Sequence, residues 1–226
     1  MTLLREIQAA ATESKVDIST VLRKAKILAV RLHNPEFESW VDHELNGYGQ
    51  LSGPDDYCRL PPYRVVPVEV HGHLANRAGL HWYDAPIMPG ALPERFRVWG
   101  EECYLPQPIA AIVSLAASEN NLQVQWPQEL AITFGAHGYN RCQCLGAWQL
   151  VSPHALVGIV DTVRNRILDF ALKIEAENPE AGEALPDAQP VPSDKVRTIL
   201  QTTIFQNTFN APVGNVAQNS QGFSQT

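Results

Sequence analysis

From Leu156 to Ile174, apolar side chains recur at three- and four-residue steps: Leu156, Ile159, Val160, Val163, Ile167, Phe170, Ala171 and Ile174. That spacing places them on one stripe of an α-helix about six turns long. Ser152-Pro153 precedes the stripe; a serine oxygen can accept an idle first-turn N–H, and proline suits the first helical position because it has no such donor. A helix of this kind draws most of its stability from what covers its apolar face. The chain must therefore build a packed body around it.

The covering elements are sought at the other end of the chain. The first 46 residues read as three helices, the second being the clearest: Ile18, Val21, Leu22, Ala25, Leu28, Ala29 and Leu32 form one apolar stripe. Asp17 or Ser19 can cap it, Asn34 before Pro35 starts a third helix, and Gly47 stands where a left-handed helix terminator belongs. Phe37, Trp40, Val41 and Leu45 are expected to face inward.

Between residues 49 and 151 the texture changes to proline, glycine and short alternating runs. Tyr63 to Val70 predicts a strand, and Pro67 within it demotes that strand to a sheet edge, because proline cannot donate to a ladder. Residues 73 to 84 are the expected hairpin partner. Short helices are expected near Glu94 to Trp99, over Ile109 to Ala117 and after Pro127, with strands over Leu122 to Trp126 and Gln143 to Val151. The class is α+β: an N-terminal three-helix layer, a small, mostly antiparallel sheet region, one long C-terminal amphipathic helix and a flexible tail. Residues 1–177 are expected to form the body, 178–194 a linker rich in proline, alanine and acids, and 195–226 a tail that carries no charge from Thr198 onward, with a short helix expected from Asp194 to Leu200.

Charge and motifs exclude several function classes. Net charge is −7, with 24 acids against 17 Lys and Arg. Broad electrostatic nucleic-acid binding needs clustered cations, so it is not expected, although local basic faces are compatible with this balance. No apolar run is long enough for a membrane span, and no basic-then-apolar leader opens the sequence. The four cysteines, Cys58, Cys103, Cys142 and Cys144, read as reduced thiols of a cytoplasmic protein. His71-Gly72-His73 would share one strand face, and His137 lies near Cys142 and Cys144, but the paired spacing of a zinc site is missing, so no metal is expected. Phosphate-loop, dinucleotide and nucleophile-elbow fingerprints are absent, and no cofactor is expected.

Two polar faces invite attention. The far side of the long helix carries Asp161, Arg164, Asn165, Arg166, Asp169 and Lys173. Three-residue pairs such as Asp161 with Arg164 ordinarily only support a helix; the functional alternative is a groove in which Arg164, Asn165 and Arg166 bind phosphate or a partner, and Asp161, Arg164, Asn165 and Arg166 are the catalytic candidates should the protein be an enzyme. The second helix bears Arg23, Lys24, Lys26 and Arg31, and the third bears Glu36, Glu38, Asp42 and Glu44, which reads as mutual neutralisation across a helical hairpin.

The string from Glu36 to Tyr48, with Trp40-Val41-Asp42-His43-Glu44-Leu45-Asn46-Gly47-Tyr48 at its centre, resembles a signature of the AbiTii family. The opening Leu4-Arg5-Glu6-Ile7 and the segment Asp161 to Leu168 are similar to it as well, so the resemblance spans roughly residues 3 to 177. It implies a bacterial abortive-infection protein, one that halts an infected cell before phage completes its cycle. It implies no particular catalytic residue.

The last segment adds a different clue. No charged residue occurs from Thr198 to Thr226, while Ile204, Phe205, Phe209, Val213, Val216 and Phe223 alternate with asparagine and glutamine. Neutral, strand-favouring sequence with amide side chains suits stacked strands. Val213-Gly214-Asn215-Val216 resembles the core of bacterial amyloid signalling motifs, with Pro212 and Ala217 departing from it. Three readings stand: a solvated tail, a strand added to a sheet, and self-assembly through Ile204, Phe205, Phe209, Val213, Gly214, Asn215 and Val216.

Three functions follow as expectations. One is an antiphage protein assembled or triggered through its tail, as a homo-oligomer or with an amyloid-like partner. A second is an enzyme acting on a nucleotide or nucleic acid in a polar cleft around Asp161 and Arg164. A third is an interaction module for a neighbouring defence protein.

Overall fold

The computed structural model describes residues 2–50, 60–185 and 188–205. Its first three helices are α1 (Leu3–Thr12), α2 (Ile18–Arg31) and α3 (Pro35–Asn46). Asp17 accepts a hydrogen bond from Ser19 N, and Asn34 accepts one from Phe37 N at 2.7 Å, so both caps satisfy first-turn donors. Gly47 ends α3 at a φ of 89°, and a Cβ there would meet Pro106 O at 2.9 Å. The chain can turn sharply here only because the side chain is missing.

Next come β1 (Val65–Pro67), β2 (Glu69–Asn76), β3 (His81–Pro86), α4 (Val98–Glu101), β4 (Glu102–Tyr104), α5 (Ile109–Ala116), β5 (Leu122–Gln125), α6 (Gln128–Phe134) and β6 (Cys142–Val151). β1 pairs with β4 alone in a two-stranded antiparallel ribbon, which gives Pro67 its edge position. The hairpin lies one strand further on than expected: β2 pairs with β3, and the second sheet runs β3-β2-β6-β5, antiparallel throughout. Tyr63 and Arg64 belong to a 3-10 turn, so the apolar run from Tyr63 to Val70 is split between a turn and two strands.

The long helix α7 (Pro153–Glu177) carries the predicted stripe at the centre of the larger core. Leu156, Val163, Phe170 and Ile174 lose all solvent contact against residues of α1, α2, α3 and α5. A smaller core lies between the inner face of the four-stranded sheet and α6, around Leu74, Ile87, Leu130 and Cys144. No described helix is long and apolar enough to cross a membrane.

The expected free extremity from residue 195 does not hold over its first part. A final helix, α8 (Ser193–Thr203), buries Val196, Leu200 and Ile204 in the same core as α7. The segment before it is also anchored rather than extended: Ala181 and Val191 are buried, Asn178 Nδ2 donates to Pro190 O at 2.9 Å, and Glu183 accepts from Leu3 N at 2.7 Å. The short helix expected from Asp194 to Leu200 is therefore present, over Ser193–Thr203, but as part of the core through Val196, Ile199 and Leu200 and not as the start of a free tail. Phe209, Val213, Gly214, Asn215 and Val216 lie outside the described residues.

Candidate functional site

The residues singled out on α7 go to different places. Arg164 reaches across to the end of α1, where its guanidinium donates to the carbonyls of Ala10 at 3.1 Å, Glu13 at 3.3 Å and Val16 at 2.8 Å. Ala10 O and Val16 O are carbonyls that a helix end and its following turn leave without a backbone donor, while Glu13 O also accepts from Val16 N, so Arg164 has a structural task. Asp161 and Asn165 are exposed. Arg166 is buried, contrary to its expected place on the solvated side, because α7 is covered over more than one stripe.

Around Arg166 the chain assembles a cluster that sequence reading missed. Glu44 on α3 and Arg64 in the turn before β1 are both inaccessible to solvent, and Arg64 Nη2 lies 2.5 Å from Glu44 Oε2. The other carboxylate oxygen accepts from Tyr48 Oη at 2.6 Å and Tyr63 Oη at 2.7 Å. Trp40 Nε1 donates to Tyr63 Oη at 3.0 Å, and Arg64 Nη1 donates to Leu105 O and Gln107 O. A buried carboxylate is tolerable only with such partners. One buried donor, Arg64 Nε, has no acceptor among the described residues. Arg166 sits with Cζ 4.5 Å from the centre of the Tyr63 ring and donates to Ile204 O.

The electrostatics keep both phenols of this network protonated. Burial, reinforced by the negative charge of Glu44, pushes both Tyr48 and Tyr63 far above the ordinary phenol range, so they remain donors. Burial also lowers the Arg166 guanidinium from its ordinary value, with Tyr63 and Glu44 opposing. Beside the cluster opens a cavity of about 440 Å³, lined by Trp40, His43, Tyr48, Pro61, Arg166 and Phe205 among others. The His43 and Tyr48 rings stack at its edge, 5.1 Å apart and 11° from parallel.

Trp40, Glu44, Gly47 and Tyr48 all lie in the Glu36 to Tyr48 string, and Arg166 lies in the matching segment from Asp161 to Leu168. The AbiTii family model matches residues 2–199. The chain belongs to the AbiTii family. That match extends past α7 into α8, consistent with a body that includes the final helix. AbiTii membership associates the protein with abortive-infection antiviral defence. No curated protein and no solved structure matches the chain.

The remaining expected sites resolve as follows. Among the described residues, the ion pair across the α2–α3 hairpin is Lys26 with Asp42 at 2.6 Å, with the charge of Glu38 also acting on Lys26; Lys24 pairs with Glu6 on α1, Arg31 with Glu183 at 3.7 Å, and Glu44 is withdrawn inside. His71 and His73 share one face of β2, as their spacing predicts; His71 Nδ1 meets Asp84 at 2.8 Å and His73 meets His81 at 2.9 Å. Cys144 faces the smaller core, while Cys142 does not. Among the described residues, no three histidine, cysteine or acidic side chains converge as a metal would require. The missed signal for the true cluster was a charged residue, Glu44, placed on the same helical face as Phe37, Trp40 and Val41.

Proposed function

We propose that this AbiTii protein acts in abortive infection as a body that carries and restrains an uncharged C-terminal segment, and that self-association of that segment brings about the defence response. The observation carrying this reading is the Arg166 hydrogen bond to the Ile204 carbonyl beside the Glu44–Arg64 pair. It fastens the last described turn to the residues of the family signature. Phe205 lines the adjoining cavity, and the sequence that follows it carries no charge. Its lack of charge leaves little to oppose stacking of strands. The phenols locked in their protonated form support a conformational role over an acid–base one.

Because Leu200 and Ile204 are core residues, the informative truncation keeps residues 1–205. Light scattering and a phage plating assay on this truncation and on the full chain test the reading. The expected result is a smaller particle and lost protection with an unchanged circular dichroism spectrum. Equal masses, or full protection by residues 1–205, would remove the self-association step.

A further inference from the structure

The four-stranded sheet has one face on the smaller core and, among the described residues, one face open. Strand alternation and register assign the open face: Ala75 stands opposite His81 on one side and Gln143 on the other, and His71 stands opposite Trp148. His73, His81 and Tyr83 cluster there, with the His73 and Tyr83 rings 4.4 Å apart and 26° from parallel. Tyr83 is 69% exposed. Trp148 Nε1 is buried and has no acceptor among the described residues.

This ring cluster runs into a cleft at the end of β2. Asn76, Arg77, Arg141, Cys142 and Gln143 line it, and its volume is about 690 Å³. Gln143 belongs to both, since the row His81, Ala75, Gln143 crosses the open face to the cleft wall. Neither Arg77 nor Arg141 has an ion-pair partner among the described residues. Arg141 is held at a φ of 59°, a left-handed conformation costly for arginine. The acids of this sheet, Glu69 and Asp84, stand toward the opposite end, where His71 engages Asp84.

Stackable rings on an open antiparallel sheet, adjoined by unpaired guanidinium groups, match the chemistry of a nucleic-acid single strand: planar bases on the rings, phosphates at the arginines. A duplex hides its base faces and would use only the two cations. We infer that the open face of β3-β2-β6, from Tyr83 to Arg77 and Arg141, binds single-stranded nucleic acid with little sequence preference. The net charge of −7 confines binding to this one end of the sheet and holds affinity to a few phosphate contacts.

The test uses the full chain and fluorescently labelled oligouridylate of about 12 nucleotides, within the span such surfaces cover, read by anisotropy. A duplex of equal length and free uridine monophosphate serve as comparison probes. The strand should bind more tightly than either. Tyr83→Ala should weaken binding roughly tenfold, as expected for loss of one stacked base, without moving the melting temperature. Arg77→Ala with Arg141→Asn, the latter chosen because asparagine tolerates positive φ, should weaken it and flatten the salt dependence. No binding by the wild-type chain, equal binding of the duplex, or unchanged affinity in both variants overturns the inference.

Discussion

The Glu44 carboxylate and the Arg64 guanidinium form an ion pair with no solvent access on either side, bridging α3 to the turn before β1. Around that pair the two phenols, the indole of Trp40 and the carbonyls of residues 105 and 107 complete a network joining the helical body to the start of the sheet region. Removing one member strands its partner in a low-dielectric interior. Arg64→Met should therefore cost about 3–5 kcal/mol in urea unfolding. Arg64→Met combined with Glu44→Leu should cost less than the sum of the single changes. Additive costs would mean the pair is not coupled.

The same network makes an alkaline prediction. In an unfolded chain tyrosine ionises near pH 10, whereas Tyr48 and Tyr63 keep their protons well above that. Above about pH 10 the unfolded state then holds fewer protons than the folded state, so stability falls as pH rises; below that it is fully present. Cys103, pushed by burial from 9.0 to about 12, adds a loss that begins nearer pH 9. Ultraviolet titration should show Tyr48 and Tyr63 ionising only on unfolding. A single phenol titration near pH 10, with the fold retained, would contradict the burial of both hydroxyls.

Arg164 separates structure from catalysis on α7. Arg164→Ala leaves the carbonyls at the end of α1 without their donor and should cost about 1.5–3 kcal/mol, the range for hydrogen bonds to a charged group. Asp161→Ala and Asn165→Ala remove exposed side chains and should stay within about 0.5 kcal/mol of wild type. Both should also retain phage protection. Lost protection with unchanged stability in either would indicate a site on that face.

Leu200 tests the last helix. It is fully buried in the main core, and Leu200→Ala should cost about 2–5 kcal/mol. Removal of residues 206–226 should cost little by the same unfolding assay. A mild Leu200→Ala would mean α8 is held only loosely.

Regular periodicity made the helical layer legible. The stripes of α2 and α7, the Asn34 cap and the Gly47 terminator all act within one or two turns of chain, where local spacing and local burial coincide. The sheet was harder, since a turn at Tyr63 and Arg64 interrupts what reads as one β run. The cluster was illegible because its members, Glu44, Arg64, Arg166 and the carbonyl of Ile204, are distant in sequence; a lone glutamate among four acids of α3 looks like surface charge until its partner folds over it. The helix at α8 was legible but its burial was not, because Val196 and Leu200 are core residues set among charged and polar neighbours.

Native-state hydrogen exchange at the amides of Ile204 and Phe205, both bonded to the Leu200 carbonyl, interrogates the junction of body and extension. If the Arg166 contact fastens that turn to the folded body, these amides should exchange with free energies approaching those of the Phe170 region of α7. They should lose that protection in Arg166→Ala while α7 keeps its own. Exchange near the unprotected rate in the wild-type chain would show that the junction is free, and would remove the restraint on which the proposed switch depends.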